Sequence, residues 1–238
     1  MLNSSLPREE NVEADEATVF VVEDDPNVRH SLRWLVESCG LRVQTHASAE
    51  DFLEAYSPEQ SGCLLLDLRM PGMSGEDLQH SLTARQFSIP VIVVTGHGDV
   101  DSAVRAMKGG AVDFIEKPYE KAVLLDCIHR AMELDRATRE QEANLVDVEA
   151  RLALLTPRER EVMDLVVVGM GNKQVAHRFG ISVKTIEIHR SRLMKKLKAK
   201  TAVDLARIYL TAQRDRKELS SPLGETPIEK APIDNRSN

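Results

Sequence analysis

The chain has 238 residues, 42% of them hydrophobic, enough for two modest domains each with its own core. No run of about 18 apolar residues occurs, and the opening "MLNSSLPREENVEADEA" has neither an apolar stretch nor a basic start, which argues against membrane insertion and secretion and for a cytoplasmic protein. The net charge of −7 divides unevenly: residues 1–155 carry 14 basic and 28 acidic side chains, whereas residues 156–213 carry 12 basic and 5 acidic. A basic segment behind an acidic one makes nucleic acid the expected partner of the second half, the alternative being a merely solvated basic face.

In chain order, residues 1–16 show no periodicity and read as disordered. Short β-branched runs then recur at "TVFVVE" (18–23), "LRVQTH" (41–46), "CLLLD" (63–67), "PVIVVT" (90–95) and "AVDFIEK" (111–117). Helical patterns fill the gaps, at Asn27–Ser38, Ala49–Tyr56, Glu76–Ala84, Val100–Lys108 and Tyr119 to about Asp135. The first, third and fourth runs are almost continuously apolar, as in strands covered on both faces, while 41–46 alternates like an edge. The pattern predicts an α/β domain over residues 17–134, a doubly wound five-stranded parallel sheet. Cys39, Cys63 and Cys127 have no metal-ligand spacing and read as reduced, mostly buried small hydrophobes.

In open α/β sheets, ligands bind beyond the carboxyl ends of the strands, at the switch in strand order. With order 2-1-3-4-5, Glu23, Asp24 and Asp25 after the first strand converge with Asp67 after the third. Such a cluster repels itself unless a cation neutralises it, and an all-oxygen set suits Mg²⁺. The alternative is that each acid only caps the following helix, as Asp25 before Pro26-Asn27 readily could. Thr95 and Lys117, ending the fourth and fifth strands, bring a hydroxyl and an ammonium to the same crevice. The set fits a phosphoryl group on Asp67: the carboxylate is the nucleophile, while Lys117 neutralises charge and Thr95 donates a hydrogen bond.

The motifs "VVEDD", "LLLDLRMPGMSG", "VVTGHGD" and "FIEKP", in that order, resemble the receiver domain of two-component response regulators, particularly the FixJ-like group. The resemblance spans about residues 18–132 and implies a flavodoxin-like fold. It implies that Asp67 is the phosphoacceptor and that Glu23, Asp24, Asp67 and the backbone carbonyl of Arg69 hold the metal, Glu23 standing where Asp is more frequent. It also implies that Thr95 and Phe114 form a switch pair, although Phe114 could equally be a plain core residue. Lys117-Pro118 matches a position that takes a cis peptide. Asp25 and His97 are given no role.

From Leu134 to Leu155 the chain has no Pro or Gly, and Leu145, Val148, Leu152 and Leu155 recur at helical spacing, which predicts a helical linker at residues 135–152. Its apolar stripe could pair with a second copy or pack on the chain's own second domain. Residues 153–213 read as an all-α domain of four helices. Thr156, Pro157 and Glu159 open the first helix and Gly169 stops it. A short helix at Asn172–Phe179, the turn "GIS" and a third helix capped by Ser182 complete a helix-turn-helix, with Val183, Ile186, Leu193 and Leu197 as the core side. Residues 214–238 read as a disordered tail.

"LTPRE", "NKQVA", "VKTIEIH" and "LKAK" resemble the LuxR-type helix-turn-helix over about residues 150–213. The resemblance implies that the third helix enters the DNA major groove. Lys173, Lys184, Thr185, His189, Arg190 and Lys195 become candidates for phosphate contacts, and Glu187, Ile188 and Ser191 occupy base-facing positions. A salt bridge from Glu187 to Lys184 or Arg190 is the alternative for that acid. Together the two resemblances imply a response regulator rather than an enzyme: a sensor histidine kinase phosphorylates Asp67, and the protein then forms a homodimer and binds DNA to regulate transcription. The competing readings are a Mg²⁺-dependent phosphohydrolase, for which "DLRMPG" lacks a second aspartate two residues on, and a receiver that dimerises without being phosphorylated.

Overall fold

The structure, a computed structural model, describes residues 17–96 and 100–218. The expected disorder of residues 1–16 and of the tail beyond residue 218, and the loop residue His97, lie outside the described residues. The chain divides into two compact units with the boundary between Glu140 and Gln141. Among the described residues no helix is long and apolar enough to cross a membrane.

The first unit alternates strand and helix: β1 (Thr18–Val22), α1 (Pro26–Glu37), β2 (Arg42–His46), α2 (Ala49–Ala55), β3 (Gly62–Leu66), α3 (Gly75–Ala84), β4 (Val91–Thr95), α4 (Val100–Lys108), β5 (Ala111–Glu116) and α5 (Lys121–Ala153). The strands form one parallel sheet of order β2-β1-β3-β4-β5. This is the expected doubly wound topology, and it places the switch in strand order between β1 and β3.

Strand periodicity divides the core in two. Phe20 and Val22 of β1 join Leu64 and Leu66 of β3 under Phe52 of α2 and Leu78 and Leu82 of α3. Val19, Val21, Cys63 and Leu65 face the other way, under Leu32 and Val36 of α1 and Leu124 and Ile128 of α5. All of β3 is buried, whereas β2 alternates half-buried and exposed residues, as an edge strand should. Burial pushes the Cys63 thiol up to about 12, so it is a packing group and not a thiolate nucleophile.

Helix α5 runs past its expected end near Asp135 and is continuous with the helix expected for the linker. It continues without interruption for 33 residues, through the expected linker. Asp135 is buried and accepts hydrogen bonds from the Gly62 N–H at 2.9 Å and from Arg139 Nε at 2.9 Å. Arg139 also donates to the carbonyls of Pro58, Glu59 and Gln60, so tertiary bonds hold the helix where periodicity suggested an end.

The second unit contains the end of α5 followed by α6 (Pro157–Val167), α7 (Asn172–Phe179), α8 (Val183–Lys196) and α9 (Ala202–Glu218). Its core gathers Leu155, Val162, Met163, Val175, Ile186, Leu193, Leu197 and Leu205, with Leu152 packed against them, and Val148 is also buried. Of the expected stripe, Val148 and Leu155 are buried and Leu145 and Leu152 are half-buried. Helix α9 runs to Glu218, past the expected start of the tail at residue 214, because "RDRKE" holds good helix formers and no breaker.

Glu159 anchors this unit. Its buried carboxylate accepts from Lys196 Nζ at 2.6 Å and from the Thr156 N–H and hydroxyl at 2.9 and 3.0 Å, closing the expected capping box and tying α6 to α8. Burial by itself would raise the carboxyl, but the bonds from Lys196 and Thr156 outweigh it and hold the group below 4.5. A depressed carboxyl contributes stability above its unfolded value and loses it as pH falls through the folded one. Glu159→Gln is therefore expected to cost the second unit about 2 kcal/mol at neutral pH. The deficit should shrink below pH 4.5, as read from urea unfolding at several pH values. Equal pH profiles for the two proteins would contradict this role.

Candidate functional site

The register of β1 against β3 pairs Val22 with Leu66, so Glu23 and Asp67 leave the sheet side by side. The Asp67 N–H donates to the Val22 carbonyl at 3.0 Å, carrying the ladder one residue further. Glu23, Asp24 and Asp67 each bring a carboxylate oxygen to a cluster whose atoms all lie within 4.8 Å of one another. Glu23 and Asp67 are buried and Asp24 is half-buried. Asp25 stands apart: its carboxylate accepts the N–H groups of Asn27 and Val28 at 2.7 and 3.4 Å and caps α1. The capping alternative therefore holds for Asp25.

Lys117 reaches the cluster from the end of β5. Its Nζ lies 2.6 Å from Glu23 Oε2 and 2.9 Å from Asp67 Oδ2. The Lys117 N–H donates to the Thr95 carbonyl at 2.8 Å, and Lys117-Pro118 is cis. Burial pushes the Glu23 carboxyl up, and the Asp67 charge adds to this against the opposing effect of Lys117. For Lys117 burial acts to lower the ammonium, but bonds and charges from Glu23 and Asp67 outweigh it and hold the group above 10.5. Three clustered carboxylates, two of them on one ammonium, leave an excess of negative charge among hard oxygen donors, which fits a Mg²⁺ ion.

Thr95 is buried at the end of β4. Phe114 pairs in register with Val93 and is half-buried, its ring packed against the α2/α3 side of the core. The Arg69 N–H donates to Asp67 Oδ1 at 3.2 Å, so the chain folds back beside the acid it follows.

Three supporting residues escaped the sequence reading. Arg29 Nη1 donates to the carbonyls of Glu23 at 2.6 Å and Asp24 at 3.0 Å. Glu50 Oε1 accepts the Met73 N–H at 3.0 Å, holding the loop after Asp67 against α2. Gly75 packs so closely on Asp67 that an added Cβ would meet the Asp67 carbonyl oxygen and lie 2.8 Å from Leu68 Cα. Gly75 ends the quoted "LLLDLRMPGMSG" motif, but a motif carries no sign of what its last glycine touches.

In the second unit, Gly180 takes φ +65° to end α7, and Ser182 Oγ accepts the Thr185 N–H at 3.1 Å to start α8. Ile186, Leu193 and Leu197 are fully buried, as expected. Val183 is 37% exposed and not in the core, because as the first residue of α8 it precedes the turn that meets α6 and α7. Lys173, Lys184, Glu187, Ile188, Ser191 and Lys195 are exposed, while Thr185, His189 and Arg190 are half-buried. Lys184, Glu187, Ile188 and Ser191 line one shallow groove together with Arg192, which the candidate DNA contacts did not include. Thr185 Oγ1 is 2.8 Å from Ser182 Oγ, and Arg190 Nη1 donates to Asn172 Oδ1 at 2.9 Å, bracing α8 on α7. Glu187 is exposed and, among the described residues, forms no ion pair with Lys184 or Arg190.

A parallel sheet with acids, a hydroxyl and a lysine at one edge, followed by a basic helix-turn-helix unit, defines a signalling receiver joined to a DNA-binding module. The comparisons agree. Residues 19–129 match the response regulator receiver domain, and residues 153–209 match the LuxR family of bacterial regulatory proteins. Nodulation protein W of Bradyrhizobium diazoefficiens is 45% identical over 195 residues, covering 82% of this chain and 86% of that protein. The transcriptional regulatory protein FixJ of Rhizobium meliloti is 46% identical over 194 residues, covering 81% of this chain and 95% of FixJ. The solved structure of the response regulator StyR, 43% identical, superposes with a TM-score of 0.75 over 82% of this chain and 98% of StyR. The chain belongs to the FixJ-like two-component response regulators, which regulate transcription through a receiver domain and a LuxR-type DNA-binding domain.

Proposed function

We propose that Asp67 is the phosphoacceptor and that its phosphorylation controls dimerisation and sequence-specific DNA binding. The observation that carries this reading is the Lys117 ammonium, 2.6 Å from Glu23 and 2.9 Å from Asp67, beside a three-carboxylate cluster. A sensor histidine kinase in the cytoplasm is the donor: an Asp67 oxygen forms the new O–P bond as the N–P bond of the kinase phosphohistidine breaks. Glu23, Asp24, Asp67 and the Arg69 backbone carbonyl would hold Mg²⁺, which would neutralise charge on the phosphoryl oxygens. Lys117 neutralises one of those oxygens and Thr95 donates a hydrogen bond to another. As the Thr95 hydroxyl turns towards the phosphoryl group, Phe114 turns inward. Its half-buried ring has exposed area to lose, which a fully buried core residue would lack. The only catalysis in this reading is transfer to its own Asp67 from a kinase or a small phosphodonor.

The receiver is assigned to residues 17–134, the helical linker to 135–152 and the DNA-binding domain to 153–213. On DNA, Lys173, Lys184, Thr185, His189, Arg190 and Lys195 hold phosphates while Glu187, Ile188 and Ser191 face base edges, Glu187 towards a cytosine amino group and Ile188 towards a thymine methyl. A phosphoryl group adds roughly −1.5 to −2 charges and biases the protein through contacts that differ between its two states. A coupling of about 1–3 kcal/mol corresponds to roughly 5–150-fold in DNA affinity. With Mg²⁺ and a small phosphodonor, the natural protein is expected to incorporate phosphate, dimerise and bind DNA within that range more tightly. Asp67→Ala should do none of these; an equal response from both proteins would reject the mechanism.

A further inference from the structure

Arg29 of α1 bonds to the main chain of two of the three clustered acids and forms no ion pair among the described residues. Its Nη1 donates instead to two consecutive main-chain carbonyls, those of Glu23 and Asp24. These are the residues whose side chains enter the cluster with Asp67. The turn is also held by the Glu23 N–H on the His46 carbonyl at 3.3 Å and by the Glu23 carboxylate on Lys117 Nζ at 2.6 Å, while the Asp25 carboxylate is committed to capping α1.

We infer that Arg29 is a positioning residue for the cation site. By clamping both carbonyls it fixes the peptide from which the Glu23 and Asp24 carboxylates project, and it leaves the carboxylate lone pairs to the ion. A guanidinium paired directly with those carboxylates would compete with the cation; one turned to the backbone orients them. The inference rests on the reading of the cluster as a Mg²⁺ site. Partners that orient metal ligands are typically worth about 10–100-fold in metal affinity.

The Arg29 charge also repels a bound cation, so charge and positioning act in opposite directions and two variants separate them. Arg29→Lys keeps the charge but loses the planar fork, whereas Arg29→Met loses both. The test is calorimetric titration of Mg²⁺ alone into the full chain, with metal-free thermal unfolding as the check on folding. Arg29→Lys is expected to bind Mg²⁺ about tenfold more weakly at an unchanged metal-free melting temperature. Unchanged or tighter binding by Arg29→Lys overturns the inference, and a purely electrostatic role would add tighter binding by Arg29→Met. Should Arg29→Lys fail to fold, weaker binding by Arg29→Met supports the inference and tighter or equal binding overturns it. Absence of saturable Mg²⁺ binding in the natural protein would instead overturn the cation-site reading, and the inference with it.

Discussion

Lys117→Met is expected to make the stability of the receiver depend on Mg²⁺. The ammonium faces two buried carboxylates and is itself 18% exposed in its side chain. Removing one partner of a buried ion pair leaves uncompensated charge and costs 3–5 kcal/mol in typical cases; partial exposure of Lys117 points to the low end, about 3 kcal/mol. Added Mg²⁺ restores a cation to the same carboxylates and should recover most of that loss. Urea unfolding of the full chain, with EDTA and then with excess Mg²⁺, measures both effects. Equal stability of variant and natural protein in EDTA would show that the ammonium does not hold the cluster. The pH sign follows from the raised ammonium, whose contribution is complete at neutral pH and is lost as pH climbs through a folded value above 10.5. The natural protein should therefore lose this increment in strong base, and Lys117→Met should not. DNA binding by the variant is expected to stop responding to a phosphodonor, because the ammonium that pairs with a phosphoryl oxygen from the end of β5 is gone.

Gly75→Ala is the second large effect. The obstacle is space and not backbone conformation, since Gly75 is not among the positive-φ glycines. The new Cβ would press on the Asp67 carbonyl and on Leu68 Cα, both main-chain atoms that cannot turn aside as a flexible side chain would. Overpacking of this kind costs about 1–3 kcal/mol. Here the strain is relieved by moving the residue that carries the chemistry. Phosphate incorporation is expected to fall about tenfold or more, since a misplacement of 1 Å can cost 10²-fold in rate. Gly96→Ala is the control: it adjoins Thr95, but its Cβ would meet nothing within 4 Å among the described residues, and it should be phosphorylated normally. Normal labelling of Gly75→Ala would mean that the turn after Asp67 adjusts without cost.

Both variants act on features that differ in how plainly the sequence displays them. Lys117 and Asp67 could be found from strand ends, because a parallel sheet brings every carboxyl end to one edge whatever separates the strands along the chain. Gly75 was visible only as part of a motif, and Arg29 only as one arginine on an amphipathic helix. Their roles depend on which main-chain atoms lie opposite them, and local periodicity contains no such information.

Apolar alternation and turn chemistry, which act over a few residues, were sufficient to specify the βα order, the edge position of β2, the capping box at Thr156 and Glu159, and the buried side of α8 apart from Val183. Long-range registration settled the rest. It set Lys117 between Glu23 and Asp67, 94 and 50 residues away along the chain. It carried α5 past Asp135 through bonds to Gly62 and to the loop at residues 58–60. It also covered Val148 and Leu155 within one chain, where helical spacing had allowed either a second copy or the chain's own core. In each case two arrangements satisfy the local pattern equally, and packing between distant segments selects one.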